Sequence, residues 1–266
     1  MVTIKLYATV SRTTITGEST LIRRFYLLGL ALFGAACLAG ILAWQRARHY
    51  ERLFHLVRLD PLGLTAIDAT PTTSARFVFF GDSRAAAWPA PAGFTIVNRG
   101  VPGHTTAQAR LRYVMHVSPL KPELVIVQVG VNDLTALAVF ERDTETIIQT
   151  TIANLRAIVD LARSEGSRVI VTTIFPLGPN AFERLDPATS LIQSAIMRVN
   201  EAIAALAAPD VIVFDSAALL AGVDGYVAEP YQTDLLHINA EGYRVLNEAL
   251  GRLLAEYTGN RSSPKP

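Results

Sequence analysis

Two hydrophobic rhythms divide the 266 residues. From Phe25 to Trp44 the chain reads FYLLGLALFGAACLAGILAW without a charge, between Arg23-Arg24 on one side and Arg46, Arg48 and Arg52 on the other. At a rise of about 1.5 Å per residue such a helix spans about 30 Å, the thickness of a bilayer's hydrocarbon core. Tyr26 and Trp44 stand near its ends, where interfacial aromatics are favoured. The pattern predicts a tail over 1–24 and one transmembrane helix over 25–44. Two other readings share the segment. A cleaved signal peptide usually has a shorter apolar core, and a lipidation signal ending at Cys37 lacks a large aliphatic residue three positions before the cysteine.

The second rhythm begins near Arg76. Residues 45–75 form a partly helical juxtamembrane piece and a linker, PLGLTAIDATPTTSA, rich in Pro, Thr and Ser. After it, apolar runs of strand length at 77–80, 95–98, 124–129, 169–174 and 211–214 alternate with longer stretches at helical spacing. The helical stretches fall at 144–164, 191–207 and 240–257. Continuous Val/Ile/Phe runs suit strands covered on both faces. The expected fold is therefore α/β: a three-layer αβα sandwich around a five-stranded, mostly parallel, flavodoxin-like sheet. That domain is expected over 76–258, with a polar, frayed tail over 259–266.

Charge refines the picture. Residues 1–74 carry 8 Lys+Arg against 4 Asp+Glu, leaving 16 against 19 in the remainder. A mildly acidic domain lacks the basic footprint of a nucleic-acid binder. The single Cys37 allows neither an internal disulfide nor a cysteine-based zinc cluster. Arginines flank the apolar run almost equally, so the positive-inside rule is close to a tie. A short leading tail with Arg23-Arg24 at the membrane edge favours the N-terminus inside, which puts the domain on the periplasmic or extracellular side.

Four short blocks carry candidate chemistry, each at the end of an expected element. Gly81-Asp82-Ser83 closes the first strand and puts Ser83 where ligands of open parallel sheets bind, at the start of a helix. Asn98-Arg99-Gly100-Val101-Pro102-Gly103 follows the second strand, and Gly130-Val131-Asn132-Asp133 follows the third. Asp234-Leu235-Leu236-His237 precedes the last helix, with a carboxylate three residues before an imidazole. Each block alone is more often an ordinary turn or cap than a site. If the strand order is 2-1-3-4-5, however, Ser83, Gly100 and Asn132 share one rim, and an oxyanion hole from the Ser83 and Gly100 N–H groups and the Asn132 amide becomes possible. His237, held by Asp234, supplies the base a serine hydroxyl needs. His49, His55, His104 and His116 lack a comparable carboxylate, and His104, near the rim, is expected to contact substrate or to have no role.

Taken together, these blocks resemble the GDSL esterases, or SGNH hydrolases, over about residues 77–254. The resemblance implies Ser83 as nucleophile, His237 as general base and Asp234 as its orienting acid, with Ser83, Gly100 and Asn132 binding the oxyanion. It implies no cofactor and no metal. The expected function is a membrane-anchored serine esterase acting on a small-acyl, lipid or O-acetyl glycan ester. The alternatives are a glycan O-acyltransferase and a catalytically silent binding module of the same fold. No nucleic acid and no obligate protein partner are expected. Arg84 departs from the aliphatic residue that usually follows the serine, and either contacts an anionic group or points away.

Overall fold

The structure, a computed structural model, describes residues 15–65 and 74–262. The parts of the expected tails and linker at 1–14, 66–73 and 263–266 lie outside the described residues. The chain divides into two compact units, Met1–Leu59 and Asp60–Pro266.

In the first unit a single helix, α1 (Ile15–Leu59), runs well past the expected 25–44 on both sides. Its extension is rich in strong helix formers, Arg46, Arg48, Glu51 and Arg52, and Pro61 follows its end. Arg48 and Glu51 pair at 2.9 Å on its exposed surface. The stretch Ile22–Arg52 is long and apolar enough to cross a membrane, and none of its most apolar window is buried.

The second unit holds a parallel sheet of β1 (Phe77–Gly81), β2 (Val97–Gly100), β3 (Leu124–Gln128), β4 (Arg168–Thr172) and β5 (Val211–Phe214), in the order β2-β1-β3-β4-β5. Every residue of β1 and β3 is buried, as strands sandwiched between helices must be. Alternate side chains feed two cores. Val78, Phe80, Val125, Val127, Val169 and Val171 face α3 (Thr106–His116), α5 (Thr144–Ser164) and α6 (Pro187–Ala204). Phe79, Ile126, Ile170 and Phe214 face Trp88 and the last helix, α8 (Ala240–Ser262), through Leu246, Leu250 and Leu254. Short helices α2 (Ser83–Ala86), α4 (Val131–Thr135) and α7 (Ser216–Leu220) follow β1, β3 and β5. Because the chain steps from β1 to β2 and then back across to β3, the connections diverge at the carboxyl end of β1, the position that binds ligands in open α/β sheets.

Several boundaries differ from the expectations, three of them with consequences for the site or the extent of the domain. β2 lies at Val97–Gly100 and not at 95–98, with Arg99 buried. α8 continues to Ser262, into the segment expected as a tail. The second unit begins before Arg76: Gln108 Nε2 donates to Pro61 O at 3.0 Å, His116 Nε2 lies 3.0 Å from Leu62 O, and Gly63 is packed against the Val101 side chain.

That contact buries His116 and His104, which are 1% and 3% exposed. Burial, and then the adjacent Arg112 cation, push both imidazoles down to about 4. An unfolded chain therefore takes up these protons as pH falls below about 6.5, while the folded chain does so only near 4, so their contribution to stability is lost on going from 6.5 to 4. Asp82 opposes them, because burial pushes its carboxyl up to about 6 and its contribution is lost as pH rises through that value. Asp133, whose carboxyl burial also pushes up, acts in the same sense as Asp82, but the two histidines carry the larger combined shift. The unfolding free energy of the domain, read from urea titrations, is expected to fall between pH 7 and pH 4.5, by on the order of 2–3 kcal/mol for each histidine before the Asp82 offset. His116→Gln should flatten that dependence; an unchanged slope would contradict this account.

Candidate active site

The end of β1 is built around close backbone approach. A Cβ on Gly81 would lie 1.7 Å from the Gln128 carbonyl oxygen of β3, so only glycine fits between the strands there. Asp82 then caps α2, its Oδ1 accepting from Arg84 N at 2.9 Å. Ser83 is thereby placed, half-buried, on the first residue of α2 at the divergence of the connections.

Ser83 Oγ lies 3.0 Å from His237 Nε2, although 154 residues separate them in the chain. His237 Nδ1 is 3.0 Å from both Asp234 carboxylate oxygens. Asp234 Oδ1 also accepts the main-chain N–H groups of Leu236 and His237, each at 2.8 Å, so one carboxylate fixes both the turn and the ring. Burial pushes this carboxyl up, but the hydrogen bonds from the His237 ring and from the two N–H groups outweigh it and hold the group below its usual range. An ionised carboxylate only accepts, so Nδ1 carries the hydrogen and Nε2 is left to accept from the Ser83 hydroxyl. Asn239 completes the block. Its Oδ1 accepts from Glu241 N and Gly242 N at the start of α8, and its Nδ2 donates to Pro230 O at 2.8 Å.

Asn132 sits in the first turn of α4, where its Nδ2 donates to His104 O at 2.9 Å; one amide hydrogen is used and the other has no partner among the described residues. Asp133 fastens the same turn to α3 by accepting from Thr106 N at 2.9 Å and Thr106 Oγ1 at 2.6 Å.

Gly100 has a different place from the one expected. Its N–H donates to Asn98 Oδ1 at 2.8 Å, and a Cβ there would lie 2.2 Å from Ala86 N, which makes it the contact between β2 and α2 and not an open donor. Asn98 holds that contact from its other side, Nδ2 donating to Ala85 O at 2.8 Å. Gly103, three residues on, has φ +78, no atom within 4 Å of a Cβ, and an N–H with no protein partner among the described residues. His104 is buried, so the expectation of substrate contact does not hold for its side chain.

Two arginines are buried here, Arg84 and Arg112, and only Arg84 stands out in the sequence. Arg112 lies in α3 with its guanidinium 4.3 Å from the Phe80 ring, donating to Arg99 O at 2.8 Å and Gly81 O at 2.5 Å. It gathers the carbonyls at the ends of β1 and β2. Arg84 neither reaches an anion in solvent nor points away; it is fully buried beneath the His237 turn. Among the described residues, no group of three or more His, Cys, Asp or Glu side chains is disposed to hold a metal ion.

The sequence matches the model of the GDSL-like Lipase/Acylhydrolase family over residues 72–245. It is 31% identical over 149 residues to the GDSL esterase/lipase WDL1 of Oryza sativa subsp. japonica, covering 52% of this chain and 56% of that one; the match thus spans little more than half of the relative. Among solved structures, a GDSL-like lipase from Bacteroides thetaiotaomicron superposes with a TM-score of 0.58 at 20% identity, covering 74% of this chain and 98% of that one. A catalytic mutant of an acetylxylan esterase from Geobacillus stearothermophilus gives 0.50 at 19% identity, covering 68% and 94%. At such identities the likeness is one of fold. The family match runs from just before β1 into α8 and takes in all four blocks, so the chain belongs to the GDSL-like lipase/acylhydrolase family.

Proposed function

We propose that this protein is a membrane-anchored serine esterase that cleaves a carboxylic ester through an acyl-Ser83 intermediate. The observation that carries the reading is the run of contacts from Ser83 Oγ to His237 Nε2 at 3.0 Å and from His237 Nδ1 to Asp234 at 3.0 Å. Ser83 Oγ attacks the ester carbonyl while His237 takes its proton, and Asp234 keeps the ring in the required tautomer and stabilises the imidazolium. Collapse of the tetrahedral intermediate breaks the bond to the alcohol oxygen, which leaves with the proton from His237. Water then attacks the acyl-serine, again giving its proton to His237, and the acid departs as Ser83 Oγ is reprotonated.

Negative charge on the carbonyl oxygen needs donors already in place. We assign the Ser83 N–H at the start of α2, the second hydrogen of Asn132 Nδ2, and the Gly103 N–H in place of Gly100. The exchange of glycines rests on the Gly100 N–H being spent on Asn98, and on the open surface at Gly103, whose neighbour His104 bonds Asn132. Asn132→Ala is expected to lower kcat on the order of 100-fold or more, with little change in KM. Wild-type kcat in that variant would remove Asn132 from the oxyanion site.

Anchoring is read from α1, whose length, apolar middle and arginine flanks suit a membrane span, with the second unit on the non-cytoplasmic side. The substrate class comprises small-acyl, lipid and O-acetyl glycan esters. The test uses the full chain in detergent. Labelling of Ser83 by a fluorophosphonate and turnover of graded acyl esters and acetylated sugars support the reading; absence of both overturns it.

A further inference from the structure

Arg84 immediately follows Ser83 and is fully buried. Its Nε donates to Leu236 O at 2.8 Å and its Nη1 to Phe175 O at 2.9 Å, and the guanidinium lies 5.0 Å from the centroid of the Phe175 ring. Its own carbonyl accepts from Tyr243 OH, in α8, at 3.0 Å. Burial lowers the guanidinium to about 10, with the Asp82 charge opposing, so it stays a cation at neutral pH. Taking a guanidinium out of water is costly, the more so as Nη2 has no hydrogen-bond partner among the described residues, and an aliphatic side chain would fill the same volume more cheaply. A turn that needed only packing would not require a cation.

What the cation holds is specific. Ser83 and Arg84 are neighbours in the chain, and so are Leu236 and His237. The two pairs are joined by two adjacent contacts, Ser83 Oγ to His237 Nε2 at 3.0 Å and Arg84 Nε to Leu236 O at 2.8 Å. The Asp234–His237 turn is complete in itself, because Asp234 takes the ring and both N–H groups, but nothing in that closed set ties it to β1. Arg84 supplies that tie from the Ser83 side, and Gly178 N, donating to Leu235 O at 2.9 Å, supplies another from the loop after β4.

We propose that Arg84 is a positioning residue, whose guanidinium sets the separation of the Ser83 hydroxyl and the His237 imidazole by clamping the Leu236 carbonyl. The inference rests on the reading of Ser83 and His237 given under Proposed function. Displacement of a base by about 1 Å is enough to cost on the order of 100-fold in rate, whereas ground-state binding of an ester depends little on it.

The test compares wild type, Arg84→Met and Arg84→Lys as full chains in detergent. The readings are the rate of Ser83 labelling by a fluorophosphonate, kcat and KM on p-nitrophenyl acetate, the thermal midpoint, and the downfield proton resonance of His237 Nδ1. Arg84→Met is expected to label and turn over about 10- to 100-fold more slowly with KM within about twofold, while the Nδ1 resonance persists because the Asp234–His237 turn is self-contained. Arg84→Lys, which keeps the charge but reaches one carbonyl at a time, should recover part of the rate. A folded Arg84→Met with wild-type labelling and kcat overturns the inference. If the methionine variant does not fold, the lysine variant decides: reduced kcat at unchanged KM supports the clamp, and wild-type kcat overturns it. Failure of the wild type itself to label overturns the esterase reading and this one together, whereas a difference absent only among the Arg84 variants overturns this one alone.

Discussion

Ser83→Ala is expected to lower kcat on short acyl esters by on the order of 10⁵- to 10⁶-fold, with a thermal midpoint close to that of wild type. The size follows from what the hydroxyl does. On the proposed mechanism, without Oγ there is no atom to form the acyl-enzyme, and His237 and Asp234 have no proton to move; what survives is binding and oxyanion stabilisation of a water attack. Stability should be nearly untouched because Ser83 is half-buried and its Oγ makes its contact with His237 Nε2, across the site and not within the core. His237→Ala should cost about as much, and the double variant little more than either single one, because the groups act as a unit. Additive losses would mean that the two side chains serve separate steps. Retention of even a tenth of wild-type turnover in a folded Ser83→Ala protein would place the nucleophile elsewhere.

The largest effect on folding is expected from Gly81→Ala. The added Cβ would meet the Gln128 carbonyl oxygen at 1.7 Å and its carbon at 2.6 Å, both main-chain atoms of β3, which no side-chain rotation can relieve. Separating them means parting β1 from β3 at the register pair Gly81↔Gln128, where Asp82 N also donates to Gln128 O at 3.1 Å. The same glycine's carbonyl receives Arg112 Nη2 and Val101 N, so the disturbance spreads to β2 and α3. A loss above about 4 kcal/mol is expected, a large part of the whole stability of an ordinary domain. It would appear as loss of soluble, folded protein or a collapse of the urea midpoint. A variant that unfolds at the wild-type midpoint would show that the strands can part there at little cost.

The hydrophobic pattern locates most of the scaffold because most of it obeys simple periodicity. α5 occupies 144–164 as its spacing predicts, with Ile148, Leu155, Ile158 and Val159 turned inward. α3 does not announce itself, and the reason lies in its inner face: among its buried residues Ala109 and Tyr113 are joined by Arg112 and His116, which a hydropathy reading counts as polar. β2 is displaced for the same reason, since its buried member is Arg99. At the site, the strand order 2-1-3-4-5 already brings the turns after β1, β2 and β3 to one edge, so the convergence of Ser83 with Asn132 follows from topology. Which glycine N–H stays free does not follow, because it depends on the Asn98 side chain folding back onto Gly100 N, a detail of one turn. Arg84 stands out in the sequence only as a departure after the serine, and its partners do not follow from that: only the tertiary fold shows the carbonyls of Leu236 and Phe175 converging on it.

The strap of chain from Asp60 to Gly63 bears on where this protein tolerates being cut. Trimming the chain back to Arg76, the natural choice from hydropathy, would strip the Leu62 carbonyl from His116 and uncover Val101, two residues before Gly103. A soluble fragment should therefore retain Asp60, whose carboxylate locks the strap by accepting from Leu64 N at 2.7 Å and Thr65 N at 3.1 Å. A protease that nicks the chain between Thr65 and Arg76 should leave the strap in place and the fold intact.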